Sequence, residues 1–218
     1  MAGISPAEGG NMTDYVLLGG GAFAREIHDW FAPGQSGWSH RFAGYLNDGP
    51  HLPEMAARGL DLLGDTQTFT PRAGQKLIMA VGEPNDKLLL AQRLADPGLF
   101  ETLIHPLASV STTARLGAGA VVGPFCYVSS DAEADAFLTL NAHSSLGHDV
   151  RVGQYTTLSC YVDLTGWVEV GSACFFGSGA RVVPKIKIGN NCRIGAGAVI
   201  MRNVGDNVTL YTPPARRL

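Results

Sequence analysis

Residues 146–163 read LGHDVR, VGQYTT and LSCYVD. Each group of six opens on an apolar residue and carries a small or apolar residue four places later. Extending the six-residue step gives Val110, Leu116, Val122, Val128, Ala134, Leu140, Leu146, Val152, Leu158, Leu164, Val170, Phe176, Val182, Ile188, Ile194 and Ile200. All sixteen are apolar, and Gly follows eight of them: Gly117, Gly123, Gly147, Gly153, Gly171, Gly177, Gly189 and Gly195. The second column runs from Ala114 to Val204 and is nearly all small or apolar. A helix of period 3.6 cannot keep a period of six on one face, and simple alternation fails because the remaining even offset is mostly polar. A short strand and a turn, repeated every six residues, can keep it. Three hexads then make one triangular coil, and successive coils stack at strand spacing, about 4.8 Å. Between residues 110 and 204 this predicts roughly five coils, with the glycines supplying positive-φ turns.

The rest of the composition suits that reading. Of 218 residues 45% are hydrophobic and 16% charged, and Gly, at 28, is well above the usual ~7%. Disorder and a helical bundle are both disfavoured. No stretch approaches the ~18–20 apolar residues of a membrane span, and no basic residue precedes an apolar run as in a signal peptide. Met1 to Met12 is small, polar and Gly-rich, and is expected to be a disordered leader. The net charge of −3 divides unevenly: residues 1–149 hold 8 Lys/Arg and 16 Asp/Glu, and residues 150–218 hold 8 and 3. Neither part is basic enough for nucleic acid, while a mildly positive C-terminal part suits a phosphorylated small ligand. Cys126, Cys160, Cys174 and Cys192 lack zinc-ribbon spacing, and a reduced cytoplasmic compartment is the default.

Before the repeat, Tyr15–Leu18 reads as a buried strand, Gly19–Ala22 as a glycine turn, and Phe23–Phe31 as an amphipathic helix. Strand, glycine turn and helix aim backbone N–H groups at a phosphate. The glycines also fit a tight turn and nothing more, and they do not complete G-x-G-x-x-G. Phe42–Leu46 and Lys76–Gly82 read as further strands, and Asn85–Leu94 as a helix. Asp48, at the end of the second strand, can accept a hydrogen bond from a sugar hydroxyl.

Together these features resemble the hexapeptide-repeat acyltransferases of bacterial sugars. Those are the N-acetyltransferases of nucleotide-linked amino sugars and the related sialic acid O-acetyltransferases. The resemblance rests on Leu18-Gly19-Gly20-Gly21-Ala22, Ala80-Val81-Gly82, Ile104-His105-Pro106 and Gly147-His148-Asp149-Val150-Arg151-Val152-Gly153. It implies a Rossmann-like α/β domain over residues 13–105 and a left-handed parallel β-helix over residues 106–218. It also implies a homotrimer with active sites between subunits, acetyl-CoA as co-substrate, no metal, and a role in polysaccharide biosynthesis. By matching position, Gly20, Gly21, Asn47, Asp48, Gly82 and Asn85 hold the nucleotide sugar. Thr157, Gly166, Ser178 and Ala196 lie near the thioester and pantetheine arm. His148 is the general base, with Asp149 beside it to orient the ring and raise its basicity. Threonine at 157 and phenylalanine at 23 stand where the family often has histidine. Arg193, Arg202, Arg216 and Arg217 are candidates for CoA phosphates.

Two other functions fit parts of the pattern. The β-helical carbonic anhydrases bind zinc through a histidine pair five residues apart plus a third ligand upstream. His143 and His148 match the pair, but the third position falls near Leu107, which is no ligand. A non-catalytic trimeric scaffold would keep the repeat alone. Within the acyltransferases an amine acceptor is the principal expectation and a hydroxyl acceptor the alternative. With no Cys or Ser paired to His148, attack on the thioester is expected to be direct.

Overall fold

The computed structural model describes residues 13–31, 41–94 and 96–213. The leader, Arg216 and Arg217 lie outside them. The first unit holds a four-stranded parallel sheet in the order β3-β2-β1-β4, with β1 Asp14–Leu18, β2 Arg41–Leu46, β3 Leu62–Gly64 and β4 Gln75–Met79. Val16, Leu17 and Leu18 are fully buried, as a central parallel strand covered on both faces requires. The helices are α1 (Ala22–Trp30), the single turn α2 (Pro53–Ala56) and α3 (Pro84–Arg93). Sequence reading located β1, β2, β4, α1 and α3. It missed β3 and α2, which at three and four residues carry no period.

The rest is a parallel β-solenoid of two-residue strands. Its three faces hold seven, six and five strands. The first face runs from Leu103–Ile104 to Thr209–Leu210, the second from Ser109–Val110 to Val199–Ile200, and the third from Arg115–Leu116 to Lys187–Ile188. The coils therefore begin before Val110 and continue past Val204, with a rung every eighteen residues. From Val122 to Ile200 every member of the six-step column is buried, and Val110 and Leu116 pack partly buried against that core. Each buried Val, Leu or Ile contributes on the order of 1.5–3 kcal/mol. Strand N–H groups donate to the next coil, as from Gly123 to Leu140 and from Arg181 to Ala198, both at 2.8 Å.

The glycines following the apolar column do not play the part expected of them. None of the eight has a positive φ. They are glycines because the next coil is too close: a Cβ at Gly117 would lie 2.5 Å from the Ala136 nitrogen, and one at Gly177 2.6 Å from that of Ala196. The left-handed residue stands two places further on. Among the described residues twelve non-glycines adopt φ between 55° and 66°, including Phe125, His143, Asp149, Tyr155 and Trp167. Their N–H groups mostly donate back to the preceding coil, as from His143 to Pro124 and from Trp167 to His148. Such corners cost roughly 1–2 kcal/mol per L-residue. The solenoid meets that cost with these hydrogen bonds and with stacked side chains.

The first unit lies against the first face. Outward-pointing Leu103, Val121, Thr139 and Thr157 on that face are about 1% exposed, whereas their counterparts Tyr127, Arg151 and Glu169 on the other faces are exposed. His105 joins the units. Its Nδ1 accepts the Leu107 N–H at 3.1 Å, which leaves Nε2 to donate to the Trp30 carbonyl at 3.1 Å. Burial pulls its pKa below 6.5, against the effect of the Trp30 bond.

Candidate functional site

The corner between the second and third faces carries His148 and Asp149. Asp149 takes the left-handed conformation, with φ of 60°. His148 Nδ1 lies 2.9 Å from Asp149 Oδ2. A carboxylate only accepts, so Nδ1 carries the proton and Nε2 keeps its lone pair. The ring meets Trp167 edge-on, with centroids 4.3 Å apart and planes at 90°. It lies over Gly166, one coil on, where a Cβ would fall 2.5 Å from Nε2. The two side chains are about half exposed, so the ring is held yet open to a ligand. Lys185 stands over the Trp167 indole at 5.4 Å.

His143 occupies a different corner, stacked between Phe125 (4.9 Å) and Tyr161 (4.7 Å). Among the described residues no three His, Cys, Asp or Glu side chains come together in a metal-holding group. All four cysteines are free, three of them buried.

In the first unit, Gly19, Leu46, Asn47, Asp48, Thr66, Val81, Asp86, Leu89, Leu90 and Arg93 line a pocket of about 280 Å³. It lies at the carboxyl ends of β1, β2 and β4, where open α/β sheets bind ligands. Asn47 and Asp48 were legible in the sequence; Thr66, Asp86 and Arg93 were not, because the segment after β3 and the helix α3 come to the pocket from farther along the chain. Asp48 accepts from Arg93 at 2.9 Å and from the Thr66 N–H at 2.8 Å. Those bonds, the Thr66 backbone bond foremost, hold its carboxyl below the usual range. Gly20 is buried, and a Cβ there would meet the Tyr45 ring at 2.6 Å, so packing accounts for it. Gly21 caps the start of α1 with open space around it and no side-chain cap, so the first N–H groups of the helix have no side-chain acceptor there. Asn85 is exposed in the first turn of α3.

The candidates for the donor site do not lie together within one chain. Gly166 is beside His148. Ser178 and Ala196 occupy equivalent places in neighbouring coils, at the corner between the first and second faces, and are exposed. Thr157 is elsewhere: it is buried under the first unit, with Oγ1 donating to the Gly82 carbonyl at 2.7 Å. That position does not suit a group facing a thioester. Arg193 forms a two-pronged ion pair with Glu83 at 2.7 and 3.2 Å and lies over the Phe175 ring, so it is not a free cation for phosphate. One feature was not read from the sequence. Asn141 Oδ1 is buried with no hydrogen-bond partner among the described residues, an acceptor left unsatisfied within the chain.

Comparison with known proteins bears on the repeat and on the fold. The family described as "Bacterial transferase hexapeptide (six repeats)" matches residues 168–202. No curated protein matches the chain by sequence. Among solved structures, a mutant of perosamine N-acetyltransferase from Caulobacter crescentus, in complex with CoA and GDP-perosamine, superposes with a TM-score of 0.82 at 27% identity, over 93% of this chain and 95% of that one. PerB from Caulobacter crescentus, also with CoA and GDP-perosamine, gives 0.81 at 28% identity over 93% and 96%. The acetyltransferase domain of PglB from Neisseria gonorrhoeae, in complex with acetyl coenzyme A, gives 0.80 at 23% over 95% and 100%, a likeness of fold.

Proposed function

We propose that this chain, a sugar acyltransferase of the hexapeptide-repeat superfamily, transfers an acetyl group from acetyl-CoA to the amine of a nucleotide-linked 4-amino sugar. The observation that carries this reading is the His148–Asp149 pair lying over Gly166. With Asp149 accepting from Nδ1, His148 Nε2 receives a proton from the sugar amine as its nitrogen bonds to the acetyl carbonyl carbon. The oxyanion forms beside Gly166, whose N–H makes no hydrogen bond among the described residues. When the intermediate collapses the C–S bond breaks, and the proton passes from Nε2 to the departing CoA sulfur.

Residues 13–102, ahead of the first solenoid strand at Leu103, form a Rossmann-like unit whose pocket takes the nucleotide, with Asn47 and Asp48 on its lining and Gly82 beside it. The open start of α1 at Gly21 takes a phosphate. The solenoid coils left-handed. The chain works as a cytoplasmic homotrimer, with acetyl-CoA lying between subunits. This accounts for Gly166 standing at one corner and Ser178 and Ala196 at another, because a neighbouring copy can bring the two corners together. The exposed Phe125–His143–Tyr161 stack supplies an apolar edge for that contact.

The test is thiol release from acetyl-CoA with GDP- and UDP-linked 4-amino sugars, with His148→Ala alongside. Release with one of them, falling about 10²–10⁴-fold in the variant, supports the reading. Release only with hydroxyl acceptors such as sialic acid would move the function to O-acetylation. An unchanged rate in His148→Ala would remove the base.

A further inference from the structure

One buried lysine has no part in the chemistry above. Lys87 lies on α3 and is fully buried. Its Nζ donates to the Phe137 carbonyl at 3.0 Å and the Thr156 carbonyl at 3.2 Å. These oxygens belong to neighbouring coils, at the corner where Phe137 and Tyr155 stack 5.2 Å apart. An apolar side chain would occupy this place without removing an ammonium from water. Burial lowers the Lys87 pKa well below the ordinary lysine value, and Glu83 opposes that.

Two more contacts fix the same segment. Thr157 donates to the Gly82 carbonyl, and Arg193 pairs with Glu83. Residues 82, 83 and 87 are thus each tied to the solenoid. The other side of α3, through Asp86, Leu89, Leu90 and Arg93, forms one wall of the 280 Å³ pocket. One helix therefore walls the pocket and plugs into the transfer unit.

We propose that Lys87 is a positioning residue: by tying α3 to two coils, it fixes the distance from the nucleotide pocket to the transfer corner. The inference rests on the nucleotide reading above. Transfer needs the sugar amine within about 3–3.5 Å of the thioester carbon, so a loosened wall lowers turnover without emptying the pocket. Mere glue between units would not produce that pattern.

The experiment compares the wild type, Lys87→Met and Thr157→Val. Amide hydrogen exchange over residues 80–93 needs no substrate. Titration with CoA counts competent sites per chain. Thiol release with acetyl-CoA and GDP-perosamine, or a UDP-linked 4-amino sugar, gives kcat and KM. In Lys87→Met, exchange over 80–93 should quicken at least tenfold, while solenoid amides and the number of CoA sites hold. Turnover per CoA site should fall at least tenfold, with KM for both substrates within threefold. Thr157→Val should move both readouts the same way by less, and it carries the test if Lys87→Met fails to fold. Unchanged exchange over 80–93 overturns the proposal, as does faster exchange with unchanged turnover per site. If the wild type releases no thiol with either sugar, the nucleotide reading fails, and the tie made by Lys87 stands or falls on exchange alone.

Discussion

His148 owes its position to a residue with no side chain. Gly166 leaves the space in which the imidazole lies, and a methyl group there would sit 2.5 Å from Nε2. Gly166→Ala should therefore turn the ring off Asp149, reducing turnover at least tenfold by the loss of an oriented base. The solenoid should survive, because the clash is with a half-exposed side chain that can swing outward. Melting temperature and thiol release, measured on the same preparation, separate the two effects. His148 and Asp149 were legible because Gly-His-Asp sits at a fixed phase of the repeat. Thr157 and Arg193 were misplaced for a related reason. The period shows that both point outward, but not that another part of the chain covers their face.

At the scale of the element, the hexad is a strand rung and a left-handed corner, and these make different demands on sequence. The rung needs an apolar residue, which made the architecture legible. The corner needs a residue that tolerates φ near +60°, and the chain fills it with Phe, His, Tyr, Trp, Asp, Asn, Ala and Lys, and with Gly only at 119, 179 and 197. No single residue type marks it, so the glycines drew attention away. Asp131 is exposed at such a corner, with φ of 59°. Asp131→Val should destabilise the protein by roughly 1–2 kcal/mol, because branching at Cβ is badly placed there. Asp131→Asn should stay within about 0.5 kcal/mol, because Asn visits this region readily. Denaturant midpoints for the two variants decide the matter, and equal losses would contradict the strain account.

At the scale of the molecule, the joint between the units holds a titratable group. His105 is bonded so that only its neutral form fits, and burial holds its pKa below 6.5. On acidification the unfolded chain takes up this proton before the folded protein does. The contribution is therefore complete above pH 6.5 and is lost as pH falls through the lower folded value. His105→Gln should melt with a shallower dependence on pH than the wild type as pH falls below 6.5. Parallel curves would show that His105 does not titrate across that range. Ile104-His105-Pro106 stood out in the sequence, but its partner Trp30 lies 75 positions away, beyond the reach of any local pattern.

The direction of the strand hydrogen bonds has a consequence for how this molecule can be extended. The bonds between coils run both ways: the Arg181 N–H donates forward to Ala198, while the His143 N–H at a corner donates back to Pro124. Each end of the stack therefore offers donors and acceptors together, as the edge of any parallel sheet does. A duplication of eighteen residues would repeat every rung and corner in register, so the stack can grow one whole coil at a time.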